Sequence, residues 1–114
     1  MWQPSAHGTI NVLTWKPGGK TREGIDQQRP FSQLDVLMKP APGQCWVLDV
    51  GAIPMMSSED IAQLIGAVRR IGLDNGRMAL ARPAAGVATV LRMTRLTKLL
   101  PMYDDLDQAL KALA

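Results

Sequence analysis

Cys45-Trp46-Val47-Leu48-Asp49-Val50 is followed, after the short loop Gly51–Pro54, by Met55-Met56-Ser57-Ser58-Glu59-Asp60-Ile61-Ala62-Gln63-Leu64-Ile65. The first run is almost continuously apolar, the mark of a central strand covered on both faces. The second starts with two hydroxyls and then places Ile61, Leu64, Ile65, Val68 and Ile71 at steps of three and four, one buried helical stripe. Ser57 as N-cap puts Asp60 at the third helical position, close to a capping box with aspartate replacing the usual glutamate. Ser58 is then the first helical residue, with a hydroxyl that the cap does not need and that points outward. Unpaired N–H groups and the macrodipole favour negative charge at such a helix start. A serine there is either a plain cap or a place where a phosphate is tolerated.

From Gln44 onward strand and helix patterns alternate with short connections, which argues for a layered α/β or α+β domain. Arg69 and Arg70 fall off the apolar stripe near the helix end, where cations suit the dipole. Asp74-Asn75-Gly76 then makes a turn. Met78–Ala81 is the next strand; Pro83 ends it and opens a helix with Val87, Val90 and Leu91 on its apolar face. Leu99–Tyr103 is a strand that belongs at a sheet edge, because Pro101 cannot donate to a ladder. Asp104-Asp105 supplies an N-cap and a first-turn anion, and Leu106, Ala109, Leu110 and Leu113 form the stripe of a last helix. In the first half, Thr9–Trp15 is a strand and Lys16–Lys20 a turn, with Thr21–Ile25 able to pair back. Pro30–Met38 holds at most a short helix, and Pro40–Gly43 is a stiff connector.

The chain of 114 residues is one domain, large enough for a core without metal or disulfide staples. Cys45 is the one cysteine, so no intrachain disulfide forms, and its apolar setting predicts a buried, inert thiol. The start, Met1–Ser5, lacks the basic and apolar regions of a signal peptide, and no apolar run reaches the ~20 residues that span a bilayer. The expected location is the cytoplasm, without membrane insertion. Net charge is +3, from 13 Lys and Arg against 10 Asp and Glu, spread over several elements. With three Trp, one Tyr and one Phe, there is no basic stripe interleaved with stacking rings, so no nucleic-acid partner is expected. A solvated basic surface, able to face an acidic protein partner, is the plainer account.

Gly18-Gly19-Lys20-Thr21 ends like a phosphate-binding loop, but Thr14 occupies the place of the required first glycine, and a turn is the better reading. His7 is the only histidine, in a polar N-terminal segment. With no second histidine and no cysteine cluster, neither a metal site nor a Ser-His pair is assembled. No cofactor, no metal and no enzymatic activity are expected. Met55, Met56, Met78, Met93 and Met102 fall at core or loop-edge positions as gap fillers, while Met55 and Met56 also flank the serine turn as candidate partner contacts.

From about Gln44 to the C-terminus the sequence resembles the STAS family, named for sulfate transporters and anti-sigma-factor antagonists. Val47–Val50 looks like its central strand. Met55-Met56-Ser57-Ser58-Glu59-Asp60-Ile61 stands where the family has a hydrophobic pair followed by Asp-Ser-Ser/Thr-Gly-Leu. Gly76–Leu80 resembles the glycine turn and next strand, Val90–Leu96 the segment ending Thr-Gly-Leu, and Leu99–Leu110 the closing strand and helix. The resemblance implies a single α/β domain over residues 1–114, divergent over 1–43. Its small mixed sheet has four or five strands, with helices mainly on one side. It implies a regulatory module whose phosphoacceptor is Ser58, with Ser57 as second choice. The partner-binding residues would be Met55, Met56, Ser57, Ser58, Glu59 and Asp26, the last placed by a faint match of Gly24-Ile25-Asp26 to the family's Gly-x-x-Asp. The implied partner is an anti-sigma factor that is a serine kinase, or another STAS-binding protein. Alternatives are an unswitched adaptor or scaffold, such as a transporter-accessory subunit, and a nucleotide or small-ligand sensor. The chain departs from the family at Ser57 (for Asp), Glu59 and Asp60 (for Ser/Thr and Gly) and Arg95 (for Gly). The two carboxylates suit the helix dipole, would repel a phosphate on Ser58, and would be able to mimic one permanently.

Overall fold

The computed structural model describes residues 2–16, 31, 43–73 and 76–113. Five strands, β1 (Trp2–His7), β2 (Ile10–Trp15), β3 (Cys45–Asp49), β4 (Arg77–Ala81) and β5 (Met102–Tyr103), lie side by side in chain order. β1 and β2 form an antiparallel hairpin in which Trp2 faces Trp15 and His7 faces Ile10. Gly8 turns the chain between them with φ of 65°, a conformation that glycine adopts freely. β2, β3, β4 and β5 are parallel to one another. β3 is therefore central and β5 is at an edge, as the apolar run and Pro101 predict.

Helix α1 (Ser58–Leu73) connects β3 to β4, and helix α2 (Ala85–Met93) connects β4 to β5. Parallel crossovers are almost always right-handed, and each of these steps moves the same way across the sheet, so both helices land on one face. The strands alternate accordingly. Trp46, Leu48, Met78 and Leu80 join Leu64, Val68, Ile71, Val87 and Leu91 in the larger core. Val12, Val47, Ala79 and Ala81 point to the other face, where helix α3 (Leu106–Leu113) covers them with Ala109 and Leu113. The small residues of β4 let that short helix approach closely. Asp105 caps α3, its carboxylate accepting from the Gln108 N–H at 2.8 Å.

Several elements differ from the sequence reading. Trp2–His7 is a strand where no element was expected, and His7 ends it. The pattern is not alternating: Trp2 alone is buried, its ring edge-on to Trp15 at 5.4 Å and to Phe31 at 5.9 Å. One aromatic anchor and the hairpin ladder hold a strand whose other residues are exposed, with Pro4 tolerated at the edge. The Leu99–Tyr103 strand shrinks to Met102–Tyr103, because Leu96–Lys98 is a 3₁₀ turn and Leu100 is drawn into the core. Helix α2 begins at Ala85, two residues beyond Pro83, with Ala84 as N-cap and no side-chain cap. Cys45 is half-buried against the α3 face. Met93 is 79% exposed and fills no gap. The expected Thr21–Ile25 pairing, the Pro30–Met38 helix apart from Phe31, and most of the Lys16–Lys20 and Asp74–Gly76 turns lie outside the described residues, as does Asp26.

Gly76 has a steric duty. A Cβ there would collide with the Gln44 carbonyl oxygen and with Ile71, the close approach that joins the end of α1 to the start of β3. Arg95, in the place of a family glycine, adopts φ of 60° and ψ of 20°. The left-handed conformation costs an L-residue roughly 1–2 kcal/mol, part of which glycine returns as backbone entropy in the unfolded chain. Arg95→Gly is therefore expected to stabilise the fold by about 0.5–1 kcal/mol, read as a higher denaturation midpoint in urea at unchanged slope.

Candidate functional site at the start of helix α1

The loop from Val50 to Ser57 leaves the carboxyl end of the central strand and is pinned at several points. The Val50 N–H donates to the Ala81 carbonyl at 3.1 Å, and the Ile53 N–H donates to the Val50 carbonyl at 3.0 Å. Val50, Ile53 and Met56 are buried in the larger core, so the underside of the loop is apolar and fixed. On its flank, Gly86 of α2 admits the Pro54 carbonyl, which a Cβ would meet at 3.2 Å. Met55 stands out from this frame at 70% exposure.

Asp49 and Arg82 form a second clamp that sequence reading missed. Asp49 is buried, and its Oδ1 accepts from Arg82 Nε at 2.9 Å, from Arg82 Nη2 at 2.8 Å and from the Gly51 N–H at 3.2 Å. A buried carboxylate is tolerable only with such donors. Arg82 holds φ of 56°, and its own N–H donates to the Tyr103 carbonyl at 2.9 Å. The pair ties the ends of β3 and β4 to the first residues of the loop. An aspartate closing an apolar strand, and an arginine closing the neighbouring parallel strand, were the available signal. Neither alone shows that they meet.

The helix start itself has the expected reciprocal cap. Ser57 Oγ accepts from the Asp60 N–H at 3.1 Å, and Asp60 Oδ2 accepts from the Ser57 N–H at 2.9 Å. The Ile61 N–H donates to the Ser57 carbonyl at 3.0 Å. Asp60 is buried in this arrangement, while Ser57, Ser58 and Glu59 are exposed. Ser58 takes no part in the cap. Met55, Ser57, Ser58 and Glu59 are thus all exposed at the start of the helix. The structure corrects the expectation for Met56, which is 7% exposed and turns into the core because the loop needs an apolar anchor beside Ile53. Ser57→Ala deletes one of the two cap bonds and is expected to cost about 1 kcal/mol, measured as a lower melting temperature.

The STAS domain model matches residues 23–109. The chain belongs to the STAS domain family. Among solved structures, a STAS-domain anti-sigma-factor antagonist protein from Planctomyces limnophilus is 20% identical, with a TM-score of 0.77 over 99% of this chain and 97% of that one. A putative anti-sigma factor antagonist from Thermotoga maritima is 17% identical, with a TM-score of 0.74 over 98% and 93%. An anti-sigma factor antagonist from Mycobacterium paratuberculosis is 18% identical, with a TM-score of 0.71 over 99% and 92%. At these identities the likeness concerns the fold. No curated protein matches the sequence. Among the described residues, no helix is long and apolar enough to cross a membrane, and no group of three His, Cys, Asp or Glu side chains could hold a metal ion.

Proposed function

We propose that this STAS domain is a non-enzymatic regulatory module that docks a protein partner on the ridge formed by Met55, Ser57, Ser58 and Glu59. The observation that carries this reading is the division of labour between the two serines. Ser57 and Asp60 satisfy each other in the cap, whereas Ser58 is exposed on a rigid helix start beside a highly exposed methionine. Loop and helix are fixed from below by Val50, Ile53 and Met56 and from the side by the Asp49–Arg82 clamp. A preorganised ridge of this kind loses little entropy on binding.

The partner class that fits best is a serine kinase acting as an anti-sigma factor, with Ser58 as phosphoacceptor and the phosphate ending the interaction. The helix start favours the added charge, while the exposed Glu59 opposes it. That carboxylate supports the second reading, an adaptor that docks constantly without a switch. A titration against an anti-sigma kinase from the same genome, with ATP present and absent, separates the two. Saturable binding lost on incubation with ATP supports the switch; binding that ATP leaves intact supports constant docking. No binding at all removes the anti-sigma kinase as partner.

A further inference from the structure

The far end of the sheet carries a second feature, unrelated to the serine turn. A cleft of about 330 Å³ lies at the start of β4, between the last turns of α1, the Lys98–Pro101 segment and the end of α3. Its apolar surface comes from Val68, Ile71, Met78, Pro101 and Leu113. All of these except Pro101 are buried in the core, so the floor is rigid. At its rim stands Leu99, a large apolar side chain left 58% exposed. Three cations surround it, each from a different element: Arg69 from α1, Arg77 from β4 and Lys98 from the 3₁₀ turn. All three are exposed, and no carboxylate is among the described residues that line the cleft. Between Gly76 and Tyr103 the sequence holds Arg77, Arg82, Arg92, Arg95 and Lys98 and no Asp or Glu, and of these Arg82 is taken up by Asp49 at the other end of the sheet.

We infer that this cleft is a second docking site, one that takes an acidic protein segment carrying a large apolar side chain. The charge decides the partner's sign, since three exposed cations around an apolar floor, with no carboxylate among the described lining residues, repel a basic segment and attract an acidic one. Leu99 and the buried floor decide the apolar anchor, because an exposed leucine beside a rigid apolar surface gains from being covered. The open rim fits a segment of protein laid across it. The site is separate from the serine turn: Ser58 and Gly72 are at opposite ends of α1, about 21 Å apart at 1.5 Å per residue. If the serine turn docks a partner as proposed, a domain with docking surfaces at both ends of its sheet can hold two proteins at once and act as a bridge.

The test uses the ¹⁵N-labelled full chain and a short helical peptide with leucines on one face flanked by glutamates. Saturable amide shifts at Arg69, Gly72, Arg77, Lys98 and Leu99 are expected. Counterparts with Lys for Glu, or Ser for Leu, should bind at least about tenfold more weakly. Lys98→Glu and Leu99→Ser should each weaken the acidic peptide by about tenfold while leaving the melting temperature unchanged, both side chains being exposed. Ser58→Asp should leave peptide binding unaltered, which keeps this result independent of the serine-turn reading. No saturable shift up to about 1 mM peptide, shifts centred elsewhere, or equal binding of the lysine peptide would each overturn the proposal.

Discussion

A Ser58→Asp variant is expected to bind the regulatory partner at least about tenfold more weakly than the parent, with its melting curve unmoved. The two halves of that expectation have different origins. Stability holds because the cap uses Ser57 Oγ and the Asp60 carboxylate, and an aspartate in the first helical turn suits the helix dipole. Binding falls because the new carboxylate sits beside exposed Glu59 on the ridge that carries Met55. A partner surface that accepts a neutral hydroxyl must now desolvate two adjacent anions. A Ser58→Ala control should bind like the parent, since it adds no charge and takes nothing from the cap. Calorimetric titration of the three proteins, with thermal melts alongside, checks the prediction. Weak binding by Ser58→Ala as well would mean that the hydroxyl itself is a required contact.

Leu64→Ala is expected to have the largest effect on stability. Leu64 is fully buried at the middle of α1, in the core beneath β3 and β4. Removing its side chain loses transfer free energy and leaves a cavity between helix and sheet, at a cost of about 2–5 kcal/mol. For a domain of this size, that corresponds to a melting temperature lower by on the order of 10–20 °C. Because α1 carries the serine turn at its first residue, the loosened helix should weaken partner binding too. Val90, on the outer flank of α2 and half-buried, offers the contrast: Val90→Ala should cost no more than about 1 kcal/mol. A urea denaturation series on both variants separates these expectations.

Much of the fold could be seen in the sequence because its signals are periodic and strong. The continuous apolar run of β3, the stripe of α1 and the stripe of α3 each need burial on a definite face, and each obtains it. The cap was legible for another reason. Its partners are three residues apart, so local geometry alone brings Ser57 and Asp60 together. What escaped depends on long-range pairing. β1 has one buried residue, Trp2, and is a strand only because β2 offers it a ladder. Asp49 and Arg82 are far apart in sequence, and only the parallel register of β3 and β4 makes them neighbours. Met55 and Met56 read alike in the sequence, as gap fillers that also flank the serine turn, because two adjacent methionines at a loop end carry no periodicity to tell core from surface. The core beneath the loop accepts one of them and leaves the other in solvent. The left-handed φ of Arg95 was not read from the sequence either, although its match to a family glycine was the available signal.

The central claim is that the ridge at the start of α1 is where the regulatory partner binds, and chemical-shift mapping tests it most directly. The ¹⁵N-labelled chain is titrated with an anti-sigma kinase from the same genome, in the absence of ATP. The account predicts that the amides of Met55, Ser57, Ser58 and Glu59 shift or broaden first, and that Arg69, Lys98 and Leu99 at the far end do not move. Binding whose perturbations leave Met55–Glu59 untouched and fall elsewhere would contradict it.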